Sequence, residues 1–282
     1  MDRLPSLFIS HGAPTFAIEP GAAGALLTQL GKDLPAPLAI LVVSPHWMTA
    51  QPRVCSVSAP HTIHDFGGFP QALYTLEYPA KGHPHFAMQA LQLLQAAGWN
   101  AQADDGWGLD HGAWVPLRYL YPAADIPVFQ VSMPSDLTAE SALRYGETLA
   151  PLADQGVLII GSGSLTHNLR EFRAGETHVA PYVTEFVDWI RAAAVRGDKQ
   201  SLVQAMRLAP NAQRAHPSDD HLLPLMVALG AAADMLPVSI IDGGVQHGVL
   251  SMESYAFGWQ RPAHSNPSPD TVPKAAGAKV IG

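Results

Sequence analysis

Five of the thirteen histidines stand where an imidazole could do chemistry. His11 closes LPSLFISH, His46 follows LAILVVSP, and His167 ends VLIIGSGSLTH. His111 lies in GLDHGAW, and His221 opens the apolar run HLLPLMVALG. A histidine just past a buried strand is held by a rigid scaffold yet reaches the crevice at the strand's end, where open α/β sheets bind ligands. Neutral imidazole is a common ligand of zinc and iron, so several converging there would form a metal site. Each also has a local alternative. His11 in SHGAPT and His46 in SPHW could be polar turn residues, with Gly12, Pro14 and Pro45 shaping the backbone. Asp110 could cap a helix and so explain DHGAW without any catalytic role.

The remaining motifs narrow the field. GSGSLTH has neither the lysine of a phosphate-binding P-loop nor the spacing of a dinucleotide fingerprint. It also fails the G-x-S-x-G pattern of a serine nucleophile elbow. In AHPSDDHLLPL, Ser218 or Asp219 is expected to cap a helix with His221 in its first turn, and His216 would support from behind. His61, His64 and His247 fall in loops that could approach a pocket, while His83, His85 and His178 read as solvated.

Positioning these residues requires strands and helices in alternation. Apolar periodicity predicts strands at 6–10, 38–44, 54–58, 127–132, 157–161 and 237–241. It predicts helices near 22–31, 84–97, 114–121, 138–151, 180–195, 199–207 and 220–232. The strands are rich in Val, Ile and Leu without polar alternation, which suits a mostly parallel sheet buried on both faces. The fold class is therefore α/β: a single domain over 1–260 with a mostly parallel, mixed central sheet flanked by helices. Segment 59–83 has turn chemistry and aromatics, and reads as an ordered wall or lid of a pocket. Residues 261–282, including His264, read as a loose tail rich in Pro, Ala and Ser.

Composition sets the outer bounds. With 48% hydrophobic and 14% charged residues, the 282-residue chain has material for a sizeable core. A net charge of −8 and the lack of a basic stripe argue against nucleic acid or an anionic membrane as partner. No apolar stretch suggests a bilayer span, and no signal peptide is expected ahead of LFIS. Cys55 is the only cysteine, which points to a reducing, cytoplasmic setting. The sequence leaves the oligomeric state open.

Taken in order, H-G-x-P-T, S-P-H-W, D-H-G-x-W, G-S-G-x-x-x-H-N-L and H-P-x-x-x-H-L-L-P-L resemble the class III extradiol ring-cleaving dioxygenases, nearest the DOPA-dioxygenase type. The likeness runs from Leu7 to about Gly258. It implies a phosphorylase/hydrolase-like α/β fold and a mononuclear non-haem iron(II) site with His11, His46 and His221 as ligands. Histidine at 221 replaces the carboxylate of better-known superfamily members, and the all-nitrogen set also suits zinc. His167 matches the family's catalytic base and a further ligand in a resting or zinc-loaded form; His111 matches a histidine that helps bind substrate and O2. The implied partners are a small aromatic diol and O2, giving a muconic semialdehyde-type product. Trp47, Phe66, Phe69 and Tyr74 are candidates to hold the ring, and Arg118, Arg170 or Lys81 to meet a substrate carboxylate. A zinc hydrolase with His167 or His111 as base is the competing reading.

Overall fold

Apolar runs without alternation make strands that both faces must bury. In the computed structural model, which describes residues 3–232 and 234–262, those runs form the heart of an eight-stranded sheet. The chain begins β1 (Ser6–Ser10), α1 (Gly21–Asp33), β2 (Ala39–Thr49) and β3 (Arg53–Cys55). It continues through α2 (Pro84–Ala96), β4 (Gln102–Asp104), α3 (His111–Leu120), β5 (Val128–Pro134) and α4 (Ala139–Leu149). Next come β6 (Val157–Gly163), α5 (Pro181–Val195), and the short helices α6 (Lys199–Val203), α7 (Ala205–Leu208) and α8 (Ala212–Ala215). Then follow α9 (Leu223–Ala231), β7 (Val238–Ile241), β8 (Val245–Gln246), β9 (Leu250–Ser251) and β10 (Ser254–Phe257).

The strand order is β4-β3-β5-β2-β6-β1-β10-β7. Strands β5, β2, β6 and β1 pair in parallel, so their carboxyl ends share one edge. Antiparallel pairing appears toward the margins, between β3 and β5 and where β10 lies between β1 and β7. This is the mixed, mostly parallel α/β architecture that the periodicity predicts. Alternation along each strand divides the core. Leu7, Ile9, Ile40, Val42, Leu158 and Ile160 belong to the half that includes α1 and α3, while Phe8, Leu41, Val43 and Phe129 join the half that includes α2, α4, α5 and α9.

Two glycines of GSGS have a packing role. A Cβ on Gly161 would sit 2.0 Å from the Pro224 carbonyl oxygen, and one on Gly163 would sit 2.3 Å from that of His221. The bare backbone there lets the entry to α9 press against β6 and carries His221 to the sheet edge.

Several expectations need correction. β2 continues past Ser44 to Thr49 through a register shift, so His46 lies within the strand's irregular end and Pro45 does not turn the chain away. Helix α9 starts at Leu223, and His221 sits in the turn before it with no side-chain cap. The single helix expected over 199–207 is broken at Gln204 into α6 and α7. Strands β4, β8, β9 and β10 were not predicted, being two to four residues long. The tail expected from 261 lies, from residue 263 on, outside the described residues. Among the described residues no helix is long and apolar enough to cross a membrane.

Candidate metal centre

Because β1, β2 and β6 are parallel neighbours, residues at their carboxyl ends converge. His11 follows β1, with its amide donating to the Gly163 carbonyl at 2.9 Å. His46 comes from the end of β2, and its Nε2 lies 3.1 Å from Nε2 of His11. His221 arrives from across β6, its carbonyl accepting from the Ser164 amide at 3.0 Å. One ligand atom from each of His11, His46 and His221 lies within 4.8 Å of the others. His111, the first residue of α3 behind its Asp110 cap, brings its ring centroid to 3.8 Å from that of His46. His167, on the loop after β6, stacks on His221 at 3.5 Å and 9°.

Proton accounting shows which way these rings face. Ser162 Oγ donates to the Gly112 carbonyl at 2.5 Å, so its contact with His11 Nδ1 at 3.0 Å must be accepted from an Nδ1–H. His221 Nδ1 donates to Asp220 at 2.5 Å, and His111 Nδ1 donates to Asp65 at 2.8 Å. His46 Nδ1 lies 3.4 Å from the same Asp65 carboxylate. His11, His111 and His221 therefore carry their protons on Nδ1 and keep Nε2 as an acceptor, while His46 Nε2 meets His11 Nε2 either as donor or, with its proton on Nδ1, as a second lone pair. His221 Nε2 is buried with no hydrogen-bond partner. Without a cation, a proton on His46 Nε2 makes this 3.1 Å contact a hydrogen bond to His11 Nε2; with that proton on Nδ1 toward Asp65, both Nε2 atoms are free to share one ion. Two nitrogens bonded at about 2.0–2.1 Å to a tetrahedral metal would be separated by about 3.3 Å, so the donors fit a divalent ion.

Electrostatics keeps these donors deprotonated. Burial, followed by the neighbouring imidazoles, lowers the pKa of His11 and His46, and burial lowers that of His221 despite Asp220. Burial, then His221, pushes His167 down to about 3. Asp65 would be raised by burial, but hydrogen bonds from His111 outweigh that and hold it low. The His221 hydrogen bond likewise holds Asp220 below the usual carboxylate range. Neutral imidazole beside ionised carboxylate is the usual support of a metal-binding histidine.

The rings open into a cavity of about 430 Å³ lined by all five histidines, together with Phe66, Phe69, Leu169, Phe172 and Leu250. The 59–83 segment serves as the expected wall, contributing Phe66 and Phe69. Other expectations change. Trp47 is buried away from the cavity, stacked on Trp107 at 4.9 Å. Tyr74 does not line it but packs on Phe66 at 5.2 Å. Arg118, Arg170 and Lys81 are not among the lining residues. The sequence reading missed Asp65, Asp220, Phe172 and Leu250; Asp220 stands next to His221 in DDH and was the one readable signal. His64 Nε2–H donates to the Leu76 carbonyl at 3.0 Å, and His247 packs behind Phe172 at 4.7 Å.

His216 is structural and gives a pH test. It is fully buried, with Nε2 2.9 Å from the Leu165 carbonyl, and burial lowers its pKa to about 4. The unfolded chain, with a histidine pKa of about 6.5, binds that proton more readily. The stabilising term is thus fully present above pH ~6.5 and lost as pH falls to ~4, an effect of about 3 kcal/mol. His216→Gln should lessen the fall in urea midpoint between pH ~7 and ~4 without abolishing it, because His11, His46, His167 and His221 are lowered too; an unchanged slope would assign the acid sensitivity to those four.

Comparison with known proteins follows the same residues. Residues 6–258 match the family model for the catalytic LigB subunit of aromatic ring-opening dioxygenase. The chain is 41% identical over 256 residues to a 4,5-DOPA dioxygenase extradiol of Beta vulgaris, spanning 89% of this chain and 96% of that one. A protein of the same name from Escherichia coli K12 is 38% identical over 260 residues, with 91% and 95% covered. The crystal structure of an uncharacterised Escherichia coli K12 protein superimposes with a TM-score of 0.74 at 32% identity, covering 91% of this chain and all of that one. With its histidine motifs gathered at one sheet edge and its length matched almost throughout, the chain belongs to the class III extradiol ring-cleaving dioxygenase family.

Proposed function

We propose that residues 1–260 open the ring of a catechol-type aromatic next to its diol with O2, using iron(II) held by His11, His46 and His221. The observation that carries this reading is the set of inward Nε2 atoms, one of them buried and unpartnered, at the end of an aromatic-walled cavity. Iron(II) would supply a redox-active centre where diol and O2 meet, whereas zinc fits the same donors without an accessible redox change.

The protein's own part follows from the geometry. Three neutral imidazoles leave the ion's full charge to attract an ionised diol. Burial leaves His167 neutral with a lone pair for a phenolic proton, and the nearby Asp220 carboxylate offsets part of the cost of the charge it then carries. His111, with Nδ1 fixed on Asp65, offers Nε2 to a substrate hydroxyl. Phe66, Phe69 and Phe172 hold the ring and exclude water. The single, buried Cys55 suits a reducing cytoplasm as the compartment.

Anaerobically iron(II)-loaded protein, given O2 with DOPA, protocatechuate or simple catechols, should consume oxygen in step with a new yellow product. The zinc-loaded form should stay silent. Iron(II) in the site with no uptake across the panel would reject ring cleavage, and anaerobic turnover of an ester by the zinc form would favour hydrolysis. Asp65→Ala should lower kcat/KM about 10–100-fold in fully metal-loaded protein, because it releases His111, and should also weaken metal retention, because the same carboxylate lies 3.4 Å from Nδ1 of the ligand His46. Wild-type turnover in that variant would show that the orientation of His111 does not matter.

A further inference from the structure

The cavity has two chemically different halves. Its floor is the five imidazoles; its walls are Phe66, Phe69, Leu169, Phe172 and Leu250. Among the described residues that line it, histidine supplies the only polar side chains. Of the nearby cations, Arg173 donates to the Phe172 carbonyl at 2.7 Å, Arg214 pairs with Glu171 at 2.8 Å, and Arg170, next to Leu169, is not among the lining residues. The charged groups bonded to the floor, Asp65 and Asp220, are both carboxylates and repel an anion. A catechol with its two oxygens at the floor points its substituent past these apolar walls toward the mouth.

We propose that the substrate is a catechol whose ring substituent is uncharged and apolar, an alkyl or aryl group, rather than an amino acid or a carboxylate. This rests on the ring-cleavage reading and names its substrate class. It departs from the relatives named for DOPA, whose side chain would place a carboxylate and an ammonium against Phe and Leu with no partner. An apolar chain instead gains about fourfold in affinity for each methylene buried.

The test is calorimetric titration of zinc-loaded, redox-silent protein with 4-methylcatechol, 4-propylcatechol, DOPA and 3,4-dihydroxyphenylacetate. The same four compounds are then given to the iron(II) form in an oxygen electrode. The propyl compound should bind about tenfold tighter than the methyl one, and at least about tenfold tighter than either charged compound. Leu169→Arg, at a lining position 58% exposed and so tolerant of substitution, should shrink the gap to the carboxylates about fivefold or more. Charged catechols binding as tightly as the propyl one, no gain with chain length, or no shift in Leu169→Arg would each overturn the proposal. Absence of oxygen uptake with all four, iron(II) being present, would instead reject ring cleavage, with the binding order still judging the walls.

Discussion

His46→Ala is expected to purify with about a tenth or less of the wild-type metal content and to lose ring cleavage, while keeping its fold. His46 is the mildest ligand to remove, because its side chain is 20% exposed and sits at the irregular end of β2. Its loss leaves His11 and His221, two neutral donors where a catalytic site needs three. In the metal-free state the substitution removes the 3.1 Å hydrogen bond between His46 Nε2 and His11 Nε2. Metal-free His46→Ala should therefore be less stable than metal-free wild type by no more than about 1 kcal/mol. His11→Ala should lose metal equally but cost about 1–2 kcal/mol, since His11 is buried and Ser162 Oγ, still donating to Gly112, loses the Nδ1–H it accepts from. Elemental analysis with urea unfolding separates these outcomes. Equimolar iron in His46→Ala would take that residue out of the ligand set.

The chemistry was legible where histidine met an apolar run, and much less so where the supporting group came from a loop. His11, His46, His111, His167 and His221 all reach the cavity because parallel strands end on one edge, a consequence of pattern alone. Asp65 lies 46 residues before the His111 it orients, in a segment without periodicity, so nothing local marks it. Ser162, in a GSGS turn that lacks the nucleophile-elbow pattern, uses its hydroxyl to orient His11. Trp47 was misread for a simple reason: neighbours along a strand point to opposite faces, and His46 already takes the face toward the site. The short strand β10 escaped because four residues carry too little pattern, although it inserts between β1 and β7.

His167→Gln should keep metal and catechol binding yet lose about 10²–10⁴-fold in turnover, the usual range for a positioned proton acceptor. The amide preserves size and polarity but cannot hold the substrate's proton. Metal should stay because the grouped ligand atoms come from His11, His46 and His221. His167→Ala is a less clean variant, since it also uncovers the face of His221 that the stacked ring shields at 3.5 Å. That gap has the shape of an imidazole, so added imidazole should restore part of the activity of His167→Ala and none of that of His167→Gln. Near-normal turnover in His167→Gln would exclude its role as the essential base. Loss of metal from it would place His167 among the ligands, and the proton would then have to go to His111, whose Nε2 faces the same cavity.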